Sequence, residues 1–139
     1  MKVLFDTNVV LDVLLNREPH AEPAARLLSL VDTGELEGVI CATTVTTVHY
    51  VACRARDDAT ARRCVEQVLH LFDVACVDRP VLLSALRLDF VDFEDAVLHE
   101  AALAAGATAI VTRNAKDFAG ASLPVFDPSE LLAAVLSAE

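Results

Sequence analysis

Lys2-Val3-Leu4-Phe5 runs straight into Asp6-Thr7-Asn8, so an unbroken apolar stretch ends in a carboxylate and two small polar side chains. An apolar run without alternation is the pattern of a strand covered on both faces, as in a parallel sheet, although a run this short does not by itself separate strand from helix. If it is such a strand, Asp6 stands where the strand ends. In open α/β sheets the binding crevice lies outside the carboxyl ends of the strands, so an acid there faces a site and not the core. Such a fold needs more strands of this kind and partners for Asp6.

The rest of the chain supplies the strands. The segment to Leu15 reads as a short helix with Asn8 and Asp12 a turn apart on one face, ending near Asn16-Arg17-Glu18-Pro19. From His20 onward Ala24, Leu27, Leu28 and Val31 recur at helical spacing, and Gly34 stands where a C-terminal cap belongs. Gly38 to Ala42 is a second buried strand. The threonine-rich stretch that follows is ambiguous: its β-branched residues favour strand, whereas a helix from about Thr44 to Arg56 puts Thr47, Val51 and Arg54 on one stripe. Asp58 is a cap for a further helix with Ala61, Val65, Val68, Leu69 and Phe72 as its buried stripe and Cys64 flanking it.

Val74 to Val77 is the third strand, and Asp78-Arg79-Pro80 opens a helix through Leu86. Asp92-Phe93-Glu94-Asp95 starts an alanine-rich helix that ends at Gly106. Thr108 to Thr112 is the fourth strand and runs into Arg113-Asn114-Ala115-Lys116-Asp117-Phe118; Pro124-Val125-Phe126 is a short edge strand. Asp127-Pro128-Ser129-Glu130 is a capping box with proline at the first helical position. Strands alternating with helices imply right-handed crossovers, hence an α/β fold: a three-layer α/β/α sandwich around a mainly parallel sheet of four to five strands.

A chain of 139 residues is expected to form one domain, 1–139, and can bury roughly 70% of its unfolded surface without staples. Hydrophobic residues make up 55% with few aromatics, so the core is aliphatic and disorder is excluded. Cys41, Cys53, Cys64 and Cys76 lack CxxC or zinc spacing and read as small buried hydrophobes, which suits a reducing cytoplasm. The longest uncharged stretch, Gly38 to Cys53, is broken by threonines and His49, and Asp6 and Asp12 interrupt any secretory signal. No membrane partner is expected, and the protein is placed in the cytoplasm. The net charge of −10, from 11 basic and 21 acidic residues, argues against a general nucleic-acid binder.

Two strands end in polar clusters, Asp6-Thr7-Asn8 and Thr112-Arg113-Asn114, with Asp117 a turn further on. Parallel strands put both on one edge, and the helix opening at Asp92 can bring Asp95 there too. Three carboxylates and the Asn114 amide in one crevice raise one another's proton affinity, an arrangement that makes sense chiefly around a hard cation with oxygen ligands, Mg²⁺ or Mn²⁺.

Three stretches, Val3-Leu4-Phe5-Asp6-Thr7-Asn8, Asp92-Phe93-Glu94-Asp95-Ala96 and Val111 to Phe118, resemble in their order the acidic signatures of PIN-domain ribonucleases, the small VapC-type toxins above all. The resemblance spans nearly the whole chain. It implies a Mg²⁺- or Mn²⁺-dependent endoribonuclease acting on RNA, the toxin of a toxin–antitoxin pair, with Asp6, Asp95 and Asp117 as metal ligands. Thr7 and Asn8 match the polar pair after the first acid, and Asn114 falls where many relatives carry another aspartate. Where the family usually has a glutamate after the second strand, this chain has Thr47, whose hydroxyl can hold a metal-bound water but supplies no charge. Lower cation affinity than in a full acidic quartet is implied.

Plainer readings stand beside these. Asp92 and Asp95 suit a helix N-terminus, and Asp117 suits a turn cap. Asp12 reads as a solvated or helix-pairing residue, and His49 and His99 as buried, hydrogen-bonded histidines. Arg54, Arg56, Arg62 and Arg63 form a solvated surface or a local phosphate patch; Arg113 and Lys116, flanking Asn114, are better placed to meet an RNA backbone. The missing glutamate motivates a rival function, a weakly active or inactive PIN-fold binding module for a protein partner such as an antitoxin. A homodimer through the first helices is left open. An aspartyl phosphatase of the haloacid-dehalogenase type, with Asp6 as nucleophile, lacks its general acid because Asn8 stands where aspartate is needed.

Overall fold

The computed structural model describes residues 1–138. Five parallel strands, β1 (Lys2–Phe5), β2 (Glu37–Cys41), β3 (Asp73–Ala75), β4 (Ala109–Val111) and β5 (Val125–Phe126), form one sheet in the order β3-β2-β1-β4-β5. The helices are α1 (Thr7–Leu14), α2 (Ala21–Asp32), α3 (Ala42–Ala55), α4 (Asp58–Leu71), α5 (Arg79–Leu86), α6 (Phe93–Ala104) and α7 (Pro128–Ser137), with a 3-10 turn at Ala115–Phe118. The expected three-layer sandwich is present. Among the described residues no helix is long and apolar enough to cross a membrane.

Strand alternation divides the core in two. Val3, Phe5, Ile40, Ala109 and Val111 face one cluster, closed by Val9 and Val10 of α1, Leu27 of α2, Val48 of α3, Val68 of α4 and Leu131 of α7. Leu4, Val39 and Ile110, which pair across the three central strands, face the other with Val81 of α5 and Val97, Leu98 and Ala101 of α6. Fully burying a side chain such as Phe5 contributes roughly 2–3 kcal/mol. Phe5 meets the edge of Phe72 at 5.0 Å, and Phe72 in turn lies over Gly38, where an added Cβ would come within 2.7 Å of the ring. That close approach requires glycine in β2.

Several local expectations change. The threonine-rich stretch is helical, with Thr44, Val48 and Ala52 as its buried face and Thr47, Val51 and Arg54 on a more exposed side. The helix begins directly at the end of β2, which sets its phase. The cap of α4 is Asp57, accepting from the Thr60 N–H at 2.6 Å, and Asp58 is its first residue, paired with Arg62 and His49. Ala61, Cys64 and Val68 form the buried stripe while Leu69 is half-exposed. Cys41 and Cys64 are buried, but Cys76, just past the edge strand β3, is exposed; all four cysteines are free.

Candidate active site

The strand order reverses between β1 and β4, so their carboxyl ends flank the switch point where α/β sheets open a crevice. Asp6 and Thr112 stand there side by side. The Asp6 N–H donates to the Val111 carbonyl at 2.9 Å, continuing the ladder past the end of β1. The Asp6 carboxylate is bonded at both oxygens: Oδ1 accepts from the Thr7 N–H at 2.7 Å, as the cap of α1, and Oδ2 accepts from the Thr112 hydroxyl at 2.7 Å. Burial pushes the Asp6 carboxyl up from its ordinary value; the Thr112 hydroxyl and the Thr7 N–H pull against this, the nearby charge of Asp117 adds to the rise, and the charge of Arg113 opposes it.

Asp95 reaches the same place from α6. Asp92 is the cap, accepting from the Glu94 N–H at 2.8 Å, which leaves Asp95 on the first turn without a capping role. Its carboxyl is pushed up to about 7, by burial first and then by the charges of Asp6, Asp92, Asp117 and Glu94. Asp117 lies exposed on the 3-10 turn, whose start is set by the Asp117 N–H donating to the Asn114 carbonyl. Asp117 thus acts electrostatically on both Asp6 and Asp95, and Asp6 on Asp95, although they come from the end of β1, α6 and the segment after β4.

The donors gathered here are oxygens of carboxylates, hydroxyls and an amide, the set that suits a hard cation. As the side chains stand, no group of three or more His, Cys, Asp or Glu among the described residues is drawn together tightly enough to hold a metal by itself.

The remaining expected residues divide. Asn114, exposed, donates its N–H to the Thr112 hydroxyl at 3.0 Å. Thr7 turns its hydroxyl to Thr44 at 2.8 Å, and Asn8 Oδ1 accepts from the Arg113 N–H at 3.4 Å. Thr47 donates to the Thr43 carbonyl of its own helix at 3.1 Å. Lys116 is exposed and has no ion pair among the described residues.

Arg113 is committed elsewhere. Its Nε donates to Asp12 at 2.6 Å and Nη2 to the other oxygen at 3.2 Å, while Arg17 holds the same carboxylate at 2.8 Å. Asp12 is fully buried. It is thus an internal ion-pair centre joining α1 to the end of β4, not a solvated residue, because two guanidinium groups replace the water it gave up. His99 is buried as expected, whereas His49 is half-exposed beside Asp58. Arg62 is paired with Asp58, and Arg54 lies over the Tyr50 ring at 5.7 Å.

Two supporting residues escaped the sequence reading. Thr112 was legible only as the end of a strand, yet its hydroxyl ties Asp6 to Asn114. Thr44 is fully buried against Thr7, and the i, i+4, i+8 stripe Thr44, Val48, Ala52 was the signal that could have found it. No buried side-chain polar atom among the described residues lacks a partner.

Solved structures with this fold include a chain of VapBC2 from Rickettsia felis bound to a promoter DNA fragment, with TM-score 0.72 and 14% identity over 91% of this chain and 98% of that one. A toxin–antitoxin complex from Klebsiella pneumoniae gives TM-score 0.69 and 23% identity over 91% and 97%. The sarcin-ricin-loop-cleaving toxin VapC20 of Mycobacterium tuberculosis gives 0.63 and 14% over 78% and 86%. No curated protein sequence matches the chain significantly. The family model for the PIN domain matches residues 2–116, and since this is most of the chain, carrying both strand-end clusters and Asp95, the protein belongs to the PIN domain family.

Proposed function

We propose that this chain is a hard-cation-dependent endoribonuclease, the toxin of a toxin–antitoxin pair, restrained in the cytoplasm by an antitoxin protein. One observation carries the reading: at the switch point of the sheet burial raises the proton affinity of Asp6 and Asp95, and the charge of Asp117, from a distant part of the sequence, adds to both rises. Like charges held together with no ion pair to a cationic side chain among the described residues favour binding a divalent ion. Asp6, Asp95 and Asp117 would hold Mg²⁺ or Mn²⁺, which when bound supplies an activated water and neutralises charge on the phosphate.

The protein's own contribution is orientation. Thr112 and the Thr7 N–H fix both oxygens of Asp6, so its remaining lone pairs have set directions. Asn114, held through its backbone N–H by Thr112, would orient a ligand or water with its amide. With Arg113 tied to Asp12, Lys116 is the cation left to meet an RNA backbone, which accords with weak intrinsic RNA affinity for a chain of net charge −10. RNA as substrate draws support from the neighbour described as cleaving the sarcin-ricin loop, and an antitoxin partner from the neighbours solved as toxin–antitoxin complexes.

The test is cleavage of structured RNA with Mn²⁺, with EDTA, and by the Asp6→Asn variant. Loss of cutting in the last two is expected. Undiminished cutting by metal-free or variant protein would overturn the metal mechanism. The Thr47 hydroxyl, turned onto its own helix, favours a second reading, a binding module with little activity. In that case calorimetric titration to millimolar Mn²⁺ detects no binding.

A further inference from the structure

Asp95 and Asp117 are carried by elements with no strand pairing between them, so something else must fix their separation. A cluster around His99 joins those elements. His99 lies one turn beyond Asp95 on α6 and is 2% exposed. The N–H of Ser122, in the loop that leaves the 3-10 turn bearing Asp117, donates to His99 Nε2 at 3.1 Å, and the Ser122 hydroxyl lies 3.3 Å from the same nitrogen. A nitrogen that accepts from a backbone N–H carries no proton, so the imidazole is the neutral form protonated at Nδ1. That Nδ1–H donates to Glu100 Oε2 at 2.8 Å, which holds the tautomer.

Apolar contacts close the same joint. The ring of Phe90, from the loop before α6, packs on His99 at 5.5 Å and meets Phe118 edge-on at 5.9 Å. Phe118 is the last residue of the 3-10 turn, adjacent to Asp117, and is buried. Three segments, Leu88–Phe90, α6 and 118–122, thus meet on one imidazole.

Resting on the nuclease reading above, we propose that His99, held in its tautomer by Glu100, is a positioning residue that locks the segment bearing Asn114 and Asp117 onto α6 and so sets the geometry of Asp117 against Asp95. It touches no reacting atom; it acts through Ser122 and Phe118. The bond that matters is acceptance from the Ser122 N–H, because a residue that fills the space without accepting removes the hydrogen bond that ties this loop to α6.

The experiment compares wild type, His99→Leu, His99→Gln and Glu100→Leu as full chains whose folding is checked by circular dichroism. Glutamine can place its carbonyl oxygen near the position of Nε2, whereas leucine offers no acceptor. Hydrogen exchange should show amides of residues 115–122 opening about tenfold faster in His99→Leu, with β1 and β4 unchanged, and near wild type in His99→Gln. In Mn²⁺-dependent RNA cleavage kcat should fall by about tenfold or more in His99→Leu with KM unchanged, and recover in His99→Gln. Glu100→Leu should shift both readouts in the same direction by less, and it decides the matter if His99→Leu does not fold. Wild-type exchange at 115–122 in folded His99→Leu, or no rescue by glutamine in either readout, overturns the proposal. Absence of Mn²⁺-dependent cleavage in the wild type would instead sink the nuclease reading, and exchange alone would then decide the lock.

Discussion

Two buried carboxylates near the same edge of the sheet are treated in opposite ways. Asp12 is fully buried and meets two guanidinium groups, so its charge is neutralised within the fold. Asp6, 8% exposed, has hydrogen bonds from Thr7 and Thr112 but no ion pair among the described residues, and the like charge of Asp117 acts on it. A fold that pairs one acid directly with two guanidinium groups and gives the other no ion pair distinguishes a structural carboxylate from one open to a ligand. It also explains why Arg113, next in sequence to the site, serves the structural acid.

The contrast can be broken most directly by exchanging charge for neutrality. Asp12→Ala should lower stability by about 3 kcal/mol, since two partly buried guanidinium groups lose their counterion. Asp6→Asn should leave the metal-free melting temperature unchanged or raised, because a like charge is removed. Equal losses in urea or thermal melts of the two variants would erase the distinction.

A smaller effect is expected with pH. Asp95 in the folded protein has a pKa of about 7, against an ordinary 3.8. Between those values the folded state binds more protons than the unfolded one, so this group's contribution makes stability fall as pH rises from about 4 to about 7 and level off above. Asp6, shifted in the same direction, acts likewise. The difference between wild-type and Asp95→Asn melts across that range isolates the effect, and millimolar Mn²⁺ should diminish it near pH 7 by occupying the folded state. A difference that does not vary with pH would contradict the shift. Smaller still, Thr112→Val should cost about 1 kcal/mol of stability and slow cleavage severalfold, as Asp6 Oδ2 and the Asn114 N–H both lose a partner. Unchanged cleavage would show that Asp6 holds its orientation without Thr112.

Much of this molecule was legible in one dimension. The apolar runs at Val3, Val39, Ile110 and Val125 marked strands because a parallel strand is covered on both faces, and Asp78, Asp92 and Asp127 marked helix starts because an N-terminus needs an acceptor. Local signals were weaker where two neighbours compete for one role. Asp57 and Asp58 are equally good caps by type, and only the turn after α3 chose Asp57. Thr43, Thr44, Thr46 and Thr47 are interchangeable until the helix phase is known, and a shift of one residue moves the buried stripe from Thr47 and Val51 to Thr44, Val48 and Ala52. The fate of Asp12 was invisible because Arg113 lies about a hundred residues away.

By itself the sequence determined that two strands would end in polar clusters and that those ends would share an edge, because hydrophobic pattern and the handedness of crossovers are properties of short segments and their order. It also determined which residue types were available: oxygen donors at Asp6, Asp95, Asn114 and Asp117, and no acid at Thr47. The tertiary structure alone decided that Thr112 holds Asp6, that Arg113 answers Asp12, and that His99 joins α6 to the segment bearing Asp117. Those contacts depend on distance and direction between segments far apart in the chain, and only the packing of the two cores against the sheet brings them within hydrogen-bond reach.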